Sequence, residues 1–243
     1  MRKVILLLGV IGASLMMTSC LGDGGQYREP GYVYVDMDDK GTFYGRSLST
    51  YAFRIITSND MTQMEPRTFK YMEYRWDEKM GSAPILLDGQ ALSADKVEVI
   101  GEPEDIVSSY LNISTELPSI EDPKSFDRVE TPIYFDSKAV WDDHWIIRYD
   151  YTAKKGEEAR VDFYKKNGQN ADEVVIYAHL VITGTPESSA KSELKKGMVA
   201  LNMSSVRSLF DTSKKEIQVK FEYYENNRLT ESRPNRWIIN NPD

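Results

Sequence analysis

Residues 173–183, Glu-Val-Val-Ile-Tyr-Ala-His-Leu-Val-Ile-Thr, decide the fold class. The run carries apolar and β-branched side chains on both faces of an extended chain. That pattern predicts a central strand with another layer over it. Segments around it show the one-sided version. In His144–Tyr151, Trp145, Ile147, Tyr149 and Tyr151 share one face, and His144, Arg148 and Asp150 the other. Val161 and Phe163 alternate with Arg160 and Asp162, and Met198–Met203 follows as a further strand. Ile217, Val219, Phe221 and Tyr223 point inward from the next, and Trp237-Ile238-Ile239 closes the chain. Ser204–Phe210 is the one expected helical turn, with Ser204 as its cap. Six or seven strands at this spacing predict a β-sandwich over residues 125–243.

Upstream the strands are shorter. Tyr32–Val35, the polar turn Asp38-Asp39-Lys40-Gly41 and Thr42–Tyr44 read as a hairpin. Tyr51–Thr57 and Thr68–Trp76 are further strands. In the second, Phe69 and Tyr71 face one way and Met72, Tyr74 and Trp76 the other, as in a strand covered on both sides. Ile85–Leu87, an Asp88-Gly89 turn and Val97–Ile100 complete five or six strands, which suit a small OB-like barrel over residues 31–101. Pro103, Pro118 and Pro123 then lie among acids, so residues 102–124 are expected to form a linker, with Val107–Ile113 as a crossing strand inside it. The expected fold class is all-β, an OB-like barrel followed by a β-sandwich.

Met1–Cys20 sets the address. Arg2 and Lys3 precede an apolar run, Val4–Met17, too short and wrongly flanked for a spanning helix. Thr18-Ser19-Cys20 resembles the lipobox of bacterial lipoprotein signals, with Met17 where that motif usually has Leu. The resemblance implies a signal peptide of residues 1–19, cleavage before Cys20, and lipidation of that cysteine. Two or three acyl chains anchor a protein permanently, at about 0.8 kcal/mol per buried CH₂. Residues 20–30 then form the lipidated, Gly-rich tether, and the outer membrane is the expected location, on either face.

Bulk charge and cysteine usage narrow the partners. Thirty Lys and Arg against 38 Asp and Glu give a formal charge of −8. Losing residues 1–19 removes two positive charges and no acid, which takes the mature chain to −10. Such a chain has no electrostatic footprint for nucleic acid and is repelled by an anionic membrane surface. Cys20 is the single cysteine, so lipidation leaves none for a disulfide, a zinc cluster or a thiol nucleophile.

Few constellations carry chemistry. Asp36-x-Asp38-Asp39-x-Gly41 has the acids of a calcium loop, but Lys40 and Ser47 stand at its fifth and twelfth positions, so it reads as a hairpin turn. Trp141-Asp142-Asp143-His144 is the candidate ligand-contact stretch: two acids, an imidazole, and an indole expected to be exposed in a loop. Successive residues on a strand face opposite ways, which argues against a metal there. His144 and His179 are the only histidines, and no Gly-x-Ser-x-Gly elbow raises a serine into a site. His179 reads as a packed, hydrogen-bonded histidine within a strand. No catalytic residue, cofactor or metal emerges.

The order of lipobox, tether, OB-like part, Pro-rich joint and sandwich resembles the NigD-like lipoproteins of Bacteroidetes, over most of the chain. The stretches that carry the resemblance are Val140–Trp145 with the strand after it, Ile176–Leu180, and Val199–Ser204. It implies an accessory or immunity role beside a bacteriocin, with no catalytic residues to carry over. The expected function is a non-enzymatic envelope lipoprotein that recognises an envelope or secreted protein. One alternative is a glycan-binding surface lipoprotein of a polysaccharide-utilisation system, stacking sugars on Trp76, Trp141, Trp145 and Trp237. The other is a hydrolase built on paired carboxylates, for which nothing in the sequence selects a pair.

Overall fold

A computed structural model describes residues 25–50, 52–113, 117, 123–168, 170–210 and 216–239. Cys20 and the signal segment lie outside the described residues. The chain divides into two compact units. One holds the residues up to Arg67 together with Tyr71–Glu104, the other Thr68–Lys70 together with Asp105 onward. Both are all-β.

The first unit contains β1 (Gln26–Met37), β2 (Phe43–Ser49), β3 (Phe53–Thr57), a 3-10 turn (Asn59–Gln63), most of β4 (Thr68–Asp77), β5 (Ser82–Leu87), β6 (Gln90–Lys96) and the start of β7 (Glu98–Asn112). The strand order is β4-β1-β2-β3-β6-β5, β3 runs parallel to β6, and β7 neighbours β4. Only Val97 separates β6 from β7, so the chain that lines β3 goes on to line β4, and the sheet closes as the OB-like barrel expected. Val33, Val35, Ile56, Met72, Tyr74 and Val97 fill it, with Met61 of the 3-10 turn fully buried among them.

Folded structure begins earlier than the pattern predicts. β1 starts at Gln26, inside the expected tether. Glu29 is 2% exposed and accepts from Arg54 Nε at 2.8 Å, and the Arg54 guanidinium lies 3.9 Å from the Tyr27 ring centre. The Tyr27 hydroxyl donates to Asp95 Oδ2 at 2.8 Å. Nearby, burial pushes the Tyr74 hydroxyl up to about 12. A hydropathy reading misses this strand because its buried groups are polar and satisfy one another across the barrel.

The β1–β2 turn shows where the three carboxylates go. Asp36 reaches Arg46 at 3.4 Å, Asp39 accepts from Gly89 N–H at 2.9 Å, and Asp38 turns inward. Asp38 Oδ1 accepts from Lys40 and Thr42 N–H at 2.9 and 2.7 Å, and Oδ2 from Leu86 N–H at 3.0 Å. Burial alone would raise this carboxyl, but the three N–H donors outweigh it and hold it below the usual carboxylate range. Asp38→Ala is expected to cost about 1–3 kcal/mol at neutral pH, since three backbone donors lose their acceptor. Because the folded value is the lower one, that stability is present above the ordinary carboxylate range and fades as pH falls through the folded value. Urea unfolding of both proteins between neutral and acid pH should show the gap narrowing.

The second unit is the sandwich. It holds the end of β7, β8 (Arg128–Val129), α1 (Lys138–Trp141), β9 (His144–Lys154), β10 (Glu157–Asn167), β11 (Glu173–Gly184), β12 (Ser192–Asn202), α2 (Ser204–Leu209), β13 (Glu216–Glu225), β14 (Arg228–Glu231) and β15 (Asn235–Ile238). One sheet runs β8-β9-β12-β7; the other runs β10-β11-β13, with β14 and β15 sharing the far side of β13. β7 serves both, pairing Val107–Tyr110 with β12 and Leu111–Asn112 with β10. Residues 102–112 of the expected joint are therefore strand, so the crossing strand expected at Val107–Ile113 is present but begins earlier, at Glu98. Proline and acid content marked a break there, but ladder partners from distant sequence hold the backbone.

Side chains from both sheets meet as anticipated. Trp145, Ile147, Tyr149 and Tyr151 face Ile176, Ala178, Leu180, Val219, Phe221 and Tyr223. Gly197 lies under Tyr149; a Cβ there would come within 2.3 Å of the ring. On the outer face of β11, Val175 and Tyr177 are also buried, edged by the Lys166–Glu222 and Lys220–Glu173 ion pairs. His179 packs beside Tyr177, with ring centres 6.3 Å apart, but its Nδ1 finds no hydrogen-bond partner among the described residues. Ser204 is not a helix cap. Met203 occupies that position, and Asn202 Oδ1 instead accepts from Ser204 N–H at 2.9 Å.

Candidate functional site

The Trp141–His144 stretch is built by a short helix and an abrupt turn. Ser137 Oγ accepts from Ala139 N–H at 3.2 Å and starts α1. The helix ends because Asp142 and Asp143 both adopt left-handed backbone, φ 49° and 60°, which their short polar side chains tolerate. The turn separates the two acids. Asp142 stays half-exposed near Lys138, at 3.9 Å, while the Asp143 side chain is 1% exposed.

Asp143 is saturated by Arg207 from α2. Arg207 Nε donates to both carboxylate oxygens at 2.9 Å, and Nη2 to Oδ1 at 2.6 Å. The same guanidinium donates to the carbonyls of Asp136, at 3.0 Å, and Ile239, and lies 4.6 Å from the Trp237 ring centre. Asp136 Oδ1 accepts from Ile238 N–H at 2.9 Å. One arginine thus ties its own helix to two stretches remote in sequence, 136–143 and 237–239. His144 Nδ1 sits 2.9 Å from the Trp141 carbonyl oxygen, and burial lowers the pKa of its imidazole.

Trp141 is not an exposed stacking surface. It is 1% exposed and meets Phe135 and Phe69 edge-to-face, with centroid distances of 4.9 and 5.6 Å, Phe69 being counted with this second unit. Neighbouring acids signalled a loop, but the left-handed turn directs the indole inward. Trp145 and Trp237 are likewise buried, and in the first unit Trp76 stacks on Tyr27. The structure brings Trp141, Asp143 and His144 together as packing. Among the described residues, no three His, Cys, Asp or Glu side chains are placed to hold a metal ion, and no helix is long and apolar enough to cross a membrane.

The open feature of the sandwich lies elsewhere. A cleft of about 380 Å³ separates Val129–Pro132 from Glu231–Asn235, and its floor is Ile147, Phe221 and Tyr223. Glu130 is held by Arg148, and Glu231 lies 3.0 Å from Lys220. A second hollow of about 230 Å³ includes Tyr177, Tyr224 and Leu229. The sequence reading passed over both. Pro132, Pro234 and the Asn226-Asn227 turn were the available signals, since proline and tight turns mark sheet edges.

No family model matches the chain, and no curated protein sequence matches it. Solved structures do. An uncharacterized protein from Parabacteroides merdae superposes with a TM-score of 0.58 at 8% identity, covering 86% of this chain and 98% of that one. A candidate lipoprotein from Bacteroides fragilis gives 0.54 at 12% identity, covering 89% and 100%. A NigD-like immunity protein from Bacteroides caccae gives 0.48 at 10% identity, covering 89% and 97%, so the shared fold rests on the first two.

Proposed function

We propose that the chain is a non-enzymatic, lipid-anchored cell-envelope protein, NigD-like in kind, that recognises a protein partner. One observation carries the reading. The acid and imidazole that had the most chemical promise are committed to holding the sandwich together, while the sandwich opens at a cleft between strand edges. Such edges are where extended protein segments dock. The lipobox resemblance supports anchoring at Cys20, and a candidate lipoprotein of the same fold in Bacteroides fragilis supports the envelope address.

Two experiments test this. Mass spectrometry of membrane-extracted protein should find an acylated N-terminal fragment beginning at Cys20, and Cys20→Ala should release the protein to the soluble fraction. A soluble wild type, or a membrane-bound variant, rejects the anchor. Crosslinking in cells followed by purification of the lipidated protein should retain one envelope or secreted protein, unaffected by added polysaccharide. Retention of polysaccharide instead would favour the glycan reading. Hydrolysis of polysaccharides or esters, lost on one Asp, Glu or His substitution, would restore an enzyme.

A further inference from the structure

Three short strand edges surround the 380 Å³ cleft, and two are guarded. On β8, Val129 N–H donates to Glu225 Oε1 at 3.3 Å, and Pro132, just beyond the strand, has no N–H to offer. On β15, Ile238 N–H is taken by Asp136, and the Arg236 carbonyl accepts from the Tyr134 hydroxyl at 2.7 Å. β14 differs. It returns from β13 through Asn226-Asn227, both left-handed (φ 50° and 60°), and this two-residue turn makes Glu225–Arg228 and Tyr223–Thr230 the hydrogen-bonded pairs. The N–H and C=O groups of Leu229 and Glu231 therefore point away from β13, at the end of the sheet, where no described strand pairs with them.

Charge along this edge is one-sided. Glu130 and Glu231 are already paired with Arg148 and Lys220, whereas Arg228 and Arg233 form no ion pair with a described residue. A strand added beside β14 would alternate its side chains between two environments. Those on one face enter the cleft over Ile147, Phe221 and Tyr223; those on the other lie by Tyr224 and Leu229, the latter 57% exposed.

We infer that the β14 edge accepts an extended segment of a partner protein by strand addition, with one apolar side chain in the cleft and acidic residues facing Arg228 and Arg233. The segment is short, because the open edge is only Arg228–Glu231 and Pro234 follows. The inference deepens the protein-partner reading and rests on it for the class of partner.

Selection of a displayed random heptapeptide library on the detergent-solubilised full chain supplies the probe. The expected winners combine an apolar and an acidic residue, and fluorescence anisotropy of their synthetic forms gives affinities. Leu229→Pro removes an outward N–H that the β13 ladder does not use, and should weaken binding at least tenfold; Arg233→Glu should weaken it several-fold. Methylating successive peptide amides should abolish binding at every second position. If Leu229→Pro fails to fold, Thr131→Trp fills the cleft from the opposite wall and should weaken binding equally. Failure to enrich any sequence, binding indifferent to the variant that folds, or no alternation in the methylation series overturns the inference. A crosslinked partner that binds Leu229→Pro normally would sink the inference alone, whereas absence of any partner would sink the broader reading.

Discussion

Arg207→Met is expected to lower the stability of the sandwich by about 3–5 kcal/mol, the usual consequence of leaving a buried charge without its partner. The Asp143 side chain is 1% exposed, so water cannot replace the guanidinium, and the carbonyls of Asp136 and Ile239 lose a donor in the same step. Arg207→Lys should recover little, because an ammonium cannot meet both carboxylate oxygens and two carbonyls from one plane. Replacing both ends, Asp143→Leu with Arg207→Met, should cost less than the sum of the single changes, since the unpaired charge disappears with its partner. Urea unfolding followed by circular dichroism measures the wild type, Arg207→Met, Arg207→Lys, Asp143→Leu and the double variant. A loss below 1 kcal/mol for Arg207→Met would show that the pair is solvated.

Trp141→Ala carries the other large effect, about 3–5 kcal/mol, as for a large aromatic removed from a packed site. Phe69 and Phe135 would lose their edge-to-face partner, and the His144 ring, 5.1 Å from Phe69, would border the void. Trp141→Phe should retain about half of that stability, as it keeps much of the apolar area. This change decides between two roles for the indole. A sugar-stacking tryptophan would lose binding with little change in unfolding midpoint, whereas a packed one shifts the midpoint first. Unfolding curves and polysaccharide binding measured on the same preparation separate them.

Alternation alone made the all-β class legible. Glu173–Thr183 and His144–Tyr151 bury the side chains their spacing predicted, because a strand's period of two is a local property and a layered core needs little else. The anchor signal is local too, a contiguous run ending at Cys20. Tertiary structure alone decided what local pattern cannot contain. β1 begins at Gln26 because Glu29 and Arg54, 25 residues apart, neutralise each other. Asp143 points inward because Arg207, 64 residues away, awaits the carboxylate. The cleft exists because β8 and β14 end their sheets beside one another, and an edge is defined by the partner that is missing. Hydropathy ranks each residue by its own solubility, while burial of charge and exposure of backbone depend on what stands opposite, which only the folded chain supplies.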